Sequence, residues 1–203
     1  MDAQTVRCAP QAGPRGVAAG KKTNGRKRHI LTDTMGLLLV VLITTGNIQD
    51  RDGGKMLMIR IALNSRTYRK APYALPYHAV RIFCFSFQSV KVSTLTAIRM
   101  MYAQRRFVCL RHVWADGGYL GKLVTWMLET LGWTLEIIKR SDKAKGFQVL
   151  PRRWVVERSL AWLTRSRRLS RDYEGRCHTF ASWCYLANIR SMPRRLDPSV
   201  KPL

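Results

Sequence analysis

The clearest pattern of hydrophobic and polar positions lies between Arg152 and Arg168. Val156, Leu160 and Leu163 follow the spacing of three, four and seven residues that places apolar side chains on one face of a helix. The pattern therefore predicts an amphipathic helix over this stretch.

Arg153 and Glu157 lie four residues apart, so they share a face of this helix. Glu157 stands among many arginines, where solubility does not require an acid. Two interpretations are open. Glu157 is either the partner of Arg153 in a surface ion pair worth a few tenths of a kcal/mol, or a metal ligand held beside a polyanion.

Two short runs rich in branched apolar residues, at residues 29–34 and 37–44, predict strands of a buried sheet. Before them, residues 21–28 concentrate five bases around Asn24 and Gly25, a pair that is typical of a hairpin turn. The residues from Asp2 onward have the look of a strand end that runs into a glycine-rich and proline-containing loop.

The later part of the chain alternates strand-like and helical patterns. Asp50 and Asp52 precede a predicted helix at residues 55–63, and their default role is helix capping. The elements predicted after it are a strand at 111–115, a helix at 120–131, a strand at 133–139 and the helix at 152–168. Strands followed by a strand, helix, strand and helix indicate a mixed α/β layer structure.

The segment between these two parts differs in character. Residues 64–106 contain eight Lys or Arg, no Asp or Glu, and no regular hydrophobic period. A connection of this length without elements is uncommon inside a compact domain. We interpret it as an insertion or an out-of-frame segment between residues 1–63 and 107–196, with a tail at 197–203.

Charge narrows the choice of partner. The 203 residues, 46% of them hydrophobic, are sufficient for one globular domain with a core. However, 36 Lys and Arg against 12 Asp and Glu leave a net charge of +24, and self-repulsion of that size destabilises a compact state unless a polyanion offsets it. Nucleic acid is the predicted partner.

Cysteines and hydropathy indicate the compartment. The five cysteines are odd in number and lack zinc-site spacing, which favours reduced thiols. The longest apolar run, residues 37–43, is much shorter than the roughly 18 residues of a membrane span, and the N-terminus lacks the apolar region of a signal peptide. We therefore predict a cytoplasmic protein without a membrane partner.

Three acids stand at positions from which they could converge: Asp2 and Asp116 at predicted strand ends, and Glu157 on the predicted helix. Carboxylates are the hard oxygen ligands that Mg²⁺ or Mn²⁺ prefers, and ligands from separate elements can meet at the carboxyl ends of strands. Asp116, which precedes two glycines, is explained equally well as a turn residue.

Three strings of residues resemble a known family. They are GKKTNGRKRHILTDTMGLLLVVLITTGNIQDRD from Gly20, RHVWADGGYLGKLV, and LPRRWVVERSLAWLTRSRRLSRDYE. These strings look like the DDE transposases of bacterial insertion sequences. The resemblance covers most of residues 1–63 and 107–196, and WADGGY and PRRWVVER are highly specific parts of it.

The resemblance implies an RNase H-like catalytic domain, a mixed sheet flanked by helices, with acids on the first strand, the fourth strand and a following helix. In this sequence they fall on Asp2, Asp116 and Glu157 as catalytic residues and metal ligands. The implied activity is DNA transposition, by cleavage and strand transfer at phosphodiester bonds with two Mg²⁺ or Mn²⁺ ions. The implied partner is double-stranded DNA at insertion-sequence ends, and a homo-oligomer is left open.

Basic residues provide the predicted contacts to DNA. Arg153 matches the family's basic residue one helical turn before the glutamate. The full set of predicted DNA contacts is Lys21, Lys22, Arg26, Lys27, Arg28, Arg153, Arg165 and Arg168.

The sequence also departs from the family pattern. Similar proteins begin with a helical DNA-binding domain, whereas here Met1 directly precedes the first acid, so we expect an incomplete N-terminal strand. Leu150 and Thr164 replace the tyrosine and lysine of the family motif, and Val17-Ala18 replaces an aromatic residue and an acid. The expectation is a truncated, partly degenerate transposase with impaired activity. The alternatives are a basic, non-catalytic DNA-binding remnant and a chain that does not fold.

Overall fold

The computed structural model of the protein describes residues 1–64, 110–139 and 152–192. Its strands are β1 (Asp2–Arg7), β2 (Gly16–Ala18), β3 (Thr23–Thr32), β4 (Leu38–Thr45), β5 (His112–Ala115) and β6 (Thr134–Ile137). Its helices are α1 (Asp50–Asn64), α2 (Lys122–Leu131), α3 (Arg153–Arg165) and α4 (Cys177–Ser191). The predicted α/β class is confirmed.

The long strand β3 organises the first sheet. β1 pairs with β3 on one side, and β2 and β4 pair with successive parts of its other side, all of them antiparallel. Asn24 and Gly25 lie inside β3, so the predicted hairpin turn at this pair is wrong. Gly25 is needed for another reason: a Cβ at this position would overlap the backbone oxygen of Val6 in β1.

A second sheet consists of β5 and β6, which are parallel. The amino group of Met1 donates a hydrogen bond to the backbone oxygen of Trp114 at 2.6 Å. This contact places the beginning of β1 beside β5. Asp2 is therefore the first residue of a strand, whereas the sequence analysis placed it where a strand finishes and a loop begins.

Helices cover both faces of the first sheet. Adjacent residues of a strand point to opposite faces, so neighbours on β3 contact different helices. Leu31 of β3 packs in a core cluster with Leu57 of α1 and Met127 of α2. Its neighbour Ile30 packs in another cluster with Leu160 of α3 and Phe180 of α4. The domain thus has helix, sheet and helix layers.

The helix α4 shields the outer edge of β4. The Val41 amide donates to the Tyr185 hydroxyl at 2.9 Å, and the Leu38 amide donates to the Asn188 side-chain oxygen at 3.4 Å. Unpaired amides on an edge strand are a template for association with other chains, and side-chain partners remove that hazard. The sequence analysis did not predict α4.

Several predictions concern residues beyond those described. The interpretation of residues 64–106 as an insertion or out-of-frame segment lies outside the described part of the chain, apart from Asn64, which ends α1. The tail at 197–203 also lies outside it. Within the described ranges, no helix is both long enough and apolar enough to cross a membrane.

Candidate active site

Asp2 and Asp116 come together where β1 and β5 meet. Asp2 is the first residue of β1, and Asp116 directly follows the last residue of β5. Both line a cavity of about 10 Å³, together with Trp114 and two arginines. A cavity of this volume holds about one water-sized group.

Asp116 is also a turn residue, which was one of the two interpretations offered for it in the sequence analysis. Its Oδ1 accepts a hydrogen bond from the Gly118 amide at 3.1 Å. Asp116 thereby caps the short 3-10 turn Gly117–Tyr119. This bond fixes the carboxylate relative to the backbone. The turn role and a role as a metal ligand are compatible.

The environment of Asp2 disfavours its charge. The pKa of Asp2 is raised to about 6, chiefly by burial and in smaller part by the nearby charge of Asp116. The hydrogen bond from the Ala3 amide, at 2.7 Å, and the positive charges of the Met1 amino group and of Arg153 act in the opposite direction. A divalent cation between Asp2 and Asp116 would relieve this repulsion.

Two arginines form the basic wall of the cavity. Arg152 has a φ of 70°, in the left-handed region that costs a non-glycine residue about 1 kcal/mol or more. Its guanidinium lies 4.6 Å from the centre of the Trp114 ring, a cation–π contact. Arg153 is the first residue of α3 and lines the same cavity.

Glu157 does not line the cavity of the two aspartates. Its Oε1 accepts a hydrogen bond from Nε of Arg153 at 2.8 Å, and its side chain is 51% exposed. The ion-pair interpretation of Glu157 is therefore realised in this structure. Among the described residues, no group of three His, Cys, Asp or Glu side chains is arranged to hold a metal ion.

The donor set fits a divalent ion in part. Asp2 and Asp116 provide hard oxygen ligands on the wall of a space for one small group. The third predicted ligand, Glu157, is held by Arg153 instead. The arrangement therefore suits one Mg²⁺ or Mn²⁺ ion, while the predicted pair of ions would require Glu157 to turn toward the aspartates.

Arg26 and Arg28 require a correction, because both are completely buried. Arg26 forms an ion pair with Asp172 at 2.8 Å and donates to the backbone oxygens of Pro14, Glu174 and Gly175. Arg28 donates to the Gln4 side chain and to the backbone oxygen of Leu169. These two side chains are structural and are not available to DNA in this fold.

The other predicted DNA contacts lie on the surface. Lys21, Lys22, Arg165 and Arg168 are exposed. Lys27 forms an ion pair with Asp50 at 2.9 Å.

A groove of about 320 Å³ runs between β1 and the start of α1, close to Asp116. Its basic side chains are Lys21, Lys27 and Arg51, and Gly118 also lines it. The carboxylate of Asp50 also lines the groove, where it pairs with Lys27, so three basic side chains face one acid there. The exposed Lys21 therefore lies in the same groove as Gly118, whose amide bonds Asp116.

Comparison with protein families gives one match. A sequence model of the transposase DDE domain matches residues 1–75 and 77–191 of the chain. The chain belongs to the transposase DDE domain family. No curated protein and no solved structure matches it significantly.

Membership of the transposase DDE domain family confirms the resemblance to insertion-sequence DDE transposases. It supports a function in transposition, implies a DNA substrate, and agrees with the general use of divalent metal ions in this family. The matched ranges also run through most of residues 64–106.

The structure adds two residues to the site that the sequence analysis did not assign. Asp50, predicted as a cap, has its Oδ2 3.6 Å from the point that a Cβ on Gly118 would occupy, and Asp116 Oδ1 lies 3.3 Å from the same point. Tyr119 is completely buried, and the charges of both carboxylates act on its hydroxyl. Tyr119 is the tyrosine of the WADGGY string, so the resemblance to the family was the feature of the sequence that could have identified it.

Proposed function

We propose that the chain is the catalytic domain of an insertion-sequence transposase that cleaves and joins DNA phosphodiester bonds. The observation that carries the proposal is the shared cavity of Asp2 and Asp116 in a chain of the transposase DDE domain family. In this proposal Asp2 and Asp116 hold a divalent ion, Mg²⁺ or Mn²⁺, and Glu157 completes the site.

The proposal includes an RNase H-like fold. The arrangement of elements supports it: β1, β3 and β4 form antiparallel pairs, β5 lies beside the start of β1, and β6 is parallel to β5. The three acids then lie on the first strand, after β5, and on α3. The resemblance implies the first strand, the fourth strand and a following helix, and β5 is the fourth strand when the three-residue β2 is not counted.

The chain's own residues would prepare the substrate for cleavage. When bound, the divalent ion would activate an attacking water or 3′-hydroxyl and stabilise the leaving oxygen. Asp2 and Asp116 would hold it at the junction of β1 and β5. Arg153 would bind the phosphate next to the cleaved bond and offset part of its charge.

In this mechanism the substrate frees Glu157. Arg153 now bonds Glu157, and the side chains of the pair are 31% and 51% exposed. An ion pair this exposed is worth about 1 kcal/mol or less, so a phosphate can displace the carboxylate at small cost. Glu157 would then be free to turn toward Asp2 and Asp116.

Nicking of supercoiled plasmid DNA in the presence of Mn²⁺ tests this function. The full chain should convert supercoiled plasmid to open circles, and Asp116→Asn and Glu157→Gln should each lower the rate by about a hundredfold or more. Arg190→Gln, a change at an exposed residue of α4, is the matched control and should act like the wild type. Wild-type rates in Asp116→Asn would overturn the assignment.

A second candidate function is DNA binding without cleavage. The observation that favours it is that the described residues do not assemble three carboxylates, while the chain has a net charge of +24. Under either function the double variant Lys21→Gln, Lys22→Gln should lower the slope of log affinity against log salt by about 2. Steep salt dependence without any Mn²⁺-dependent nicking would favour this second function.

A further inference from the structure

The hydroxyl of Tyr119 is an unsatisfied polar group in the core. Tyr119 is completely excluded from solvent, and within the described part of the protein its Oη has no hydrogen-bond partner. A buried hydroxyl without a partner costs about 1–3 kcal/mol. Such a group requires an explanation, and an acceptor that reaches the hydroxyl in another state of the site provides one.

The backbone and the ring of Tyr119 are firmly placed. Tyr119 ends the 3-10 turn that Asp116 begins, and its amide donates to the backbone oxygen of Asp116 at 3.3 Å. The ring packs closely against α1 at Gly54, where an added Cβ would stand 2.7 Å from ring atom Cε1. It packs in the same core cluster as Leu57 and Met127. The side chain therefore cannot easily turn elsewhere to find a partner.

Three carboxylates lie within electrostatic reach of this hydroxyl. Burial raises the pKa of Tyr119 well above its usual value, and the charges of Asp2, Asp50 and Asp116, in that order, raise it further. The hydroxyl is thus a permanent donor near neutral pH. Packing also singles out Asp2: Met1, the residue before it, lies in the same core cluster as Tyr119, and Met1 Cε and the Tyr119 ring both face Gly54.

The bonds already present at the aspartates leave room for another donor. One oxygen of Asp2 accepts from the Ala3 amide at 2.7 Å, and one oxygen of Asp116 accepts from the Gly118 amide at 3.1 Å. Each carboxylate has lone pairs beyond these bonds. Partners that orient a metal ligand contribute about 10- to 100-fold to metal affinity.

We propose that Tyr119 is a positioning residue, which donates its hydroxyl hydrogen bond to the Asp2 carboxylate when this carboxylate holds a divalent ion. The inference rests on the proposed function, since it assumes that Asp2 and Asp116 form an ion site. Tyr119 does not touch the DNA or the ion. It fixes the orientation of Asp2 and so raises the affinity of the site.

Titration calorimetry with Mn²⁺ alone tests the role of Tyr119. Tyr119→Phe keeps the ring and removes only the hydroxyl, so the dissociation constant for Mn²⁺ should rise about tenfold or more. The urea midpoint should stay the same or rise, because an unsatisfied polar atom has been removed. Replacing Tyr119 by 3-fluorotyrosine keeps the hydroxyl and should restore most of the affinity.

Tyr185→Phe is the matched control. Its hydroxyl accepts the Val41 amide at the edge of β4, so this variant should lose stability and keep wild-type Mn²⁺ affinity. An unchanged dissociation constant in Tyr119→Phe would overturn the proposal. Asp116→Asn separates the two hypotheses: if it loses Mn²⁺ while Tyr119→Phe does not, only the role of Tyr119 fails. If Asp116→Asn binds Mn²⁺ like the wild type, the ion site of the proposed function fails as well.

Discussion

Nε of Arg153 lies 2.8 Å from Oε1 of Glu157, one turn further along α3, while Arg153 also lines the cavity of Asp2 and Asp116. One guanidinium therefore stands between the third acid and the other two. Its positive charge offsets theirs when no substrate or ion is bound. In the proposed mechanism, Arg153 is the residue through which DNA would control the assembly of the site.

Replacing Arg153 should separate metal binding from DNA binding. In Arg153→Gln the charge beside the aspartates is lost and Glu157 is released, so Mn²⁺ should bind the free protein roughly 3- to 10-fold more tightly. Affinity for duplex DNA, measured by fluorescence anisotropy, should fall. Arg190→Gln is the control for a general loss of charge. Weaker Mn²⁺ binding in Arg153→Gln would show that Arg153 supports the ion site and does not compete with it.

Breaking the buried ion pair should destabilise the fold. Asp172→Asn leaves the Arg26 charge buried without its counterion, and we expect the free energy of unfolding to fall by about 3–5 kcal/mol. Urea unfolding measures this loss. The control is Glu174→Gln, which removes the partner of Arg168, a side chain that is 54% exposed. That change should cost about 1 kcal/mol or less. Equal effects of the two variants would contradict a structural role for Arg26.

Acid should destabilise the protein through His29. This side chain is completely buried, and its pKa is lowered to about 4, chiefly by burial; the charge of Asp50 opposes this shift, and the charge of Lys27 adds to it. Between the unfolded pKa of about 6.5 and this value, the unfolded chain binds a proton that the native state excludes, so stability falls as the pH falls. Over the whole window the loss amounts to about 3 kcal/mol.

The raised pKa of Asp2 acts with the opposite sign. Between about 6 and 3.8 the native state binds the additional proton, so this group adds stability as the pH falls.

Urea unfolding of the wild type and of His29→Gln at several pH values isolates the histidine effect. The stability advantage of the wild type should shrink from pH 7 to pH 4.5. A difference that does not depend on pH would contradict a neutral, buried His29.

The approach of α1 to the sheet should depend on Gly53. A Cβ at this position would overlap the ring of His29 on β3, so Gly53→Ala forces the helix or the ring to move. We expect a loss of about 1–3 kcal/mol in urea unfolding. At Gly20, by contrast, no described atom lies within 4 Å of an added Cβ. Gly20→Ala should leave stability nearly unchanged, and a similar loss in both variants would contradict the steric explanation.

Local patterns predicted the helices around the site. The stripe of Val156, Leu160 and Leu163 is buried as expected. α2 ends at Leu131, and the next residue, Gly132, adopts a left-handed φ of 65°. In these cases the side-chain period and the capping residue carry the information, and both can be read within one element.

Contacts between distant segments could not be predicted in this way. The pair Asn24 and Gly25 reads as a turn, but Gly25 is required by the close backbone of Val6. Arg26 reads as a surface base, but Asp172, 146 residues away, makes its burial stable. Which bases are buried depends on partners that only the folded chain brings together.

The helix α4 was missed because its apolar residues lie on all sides. Phe180 and Cys184 are buried, whereas Leu186 and Ile189 are exposed. No single stripe distinguishes the buried face, so the 3.6-residue period is weak. The role of α4 in covering the edge of β4 becomes visible only through Tyr185 and Asn188.

The central claim is that Asp2 and Asp116 hold a divalent ion. Anomalous diffraction at the manganese edge, from crystals of the full chain grown with Mn²⁺, tests it most directly. The account predicts an anomalous peak between the two carboxylates, in the cavity at the junction of β1 and β5. Crystals that contain Mn²⁺ elsewhere, or show no peak at these aspartates, would contradict it.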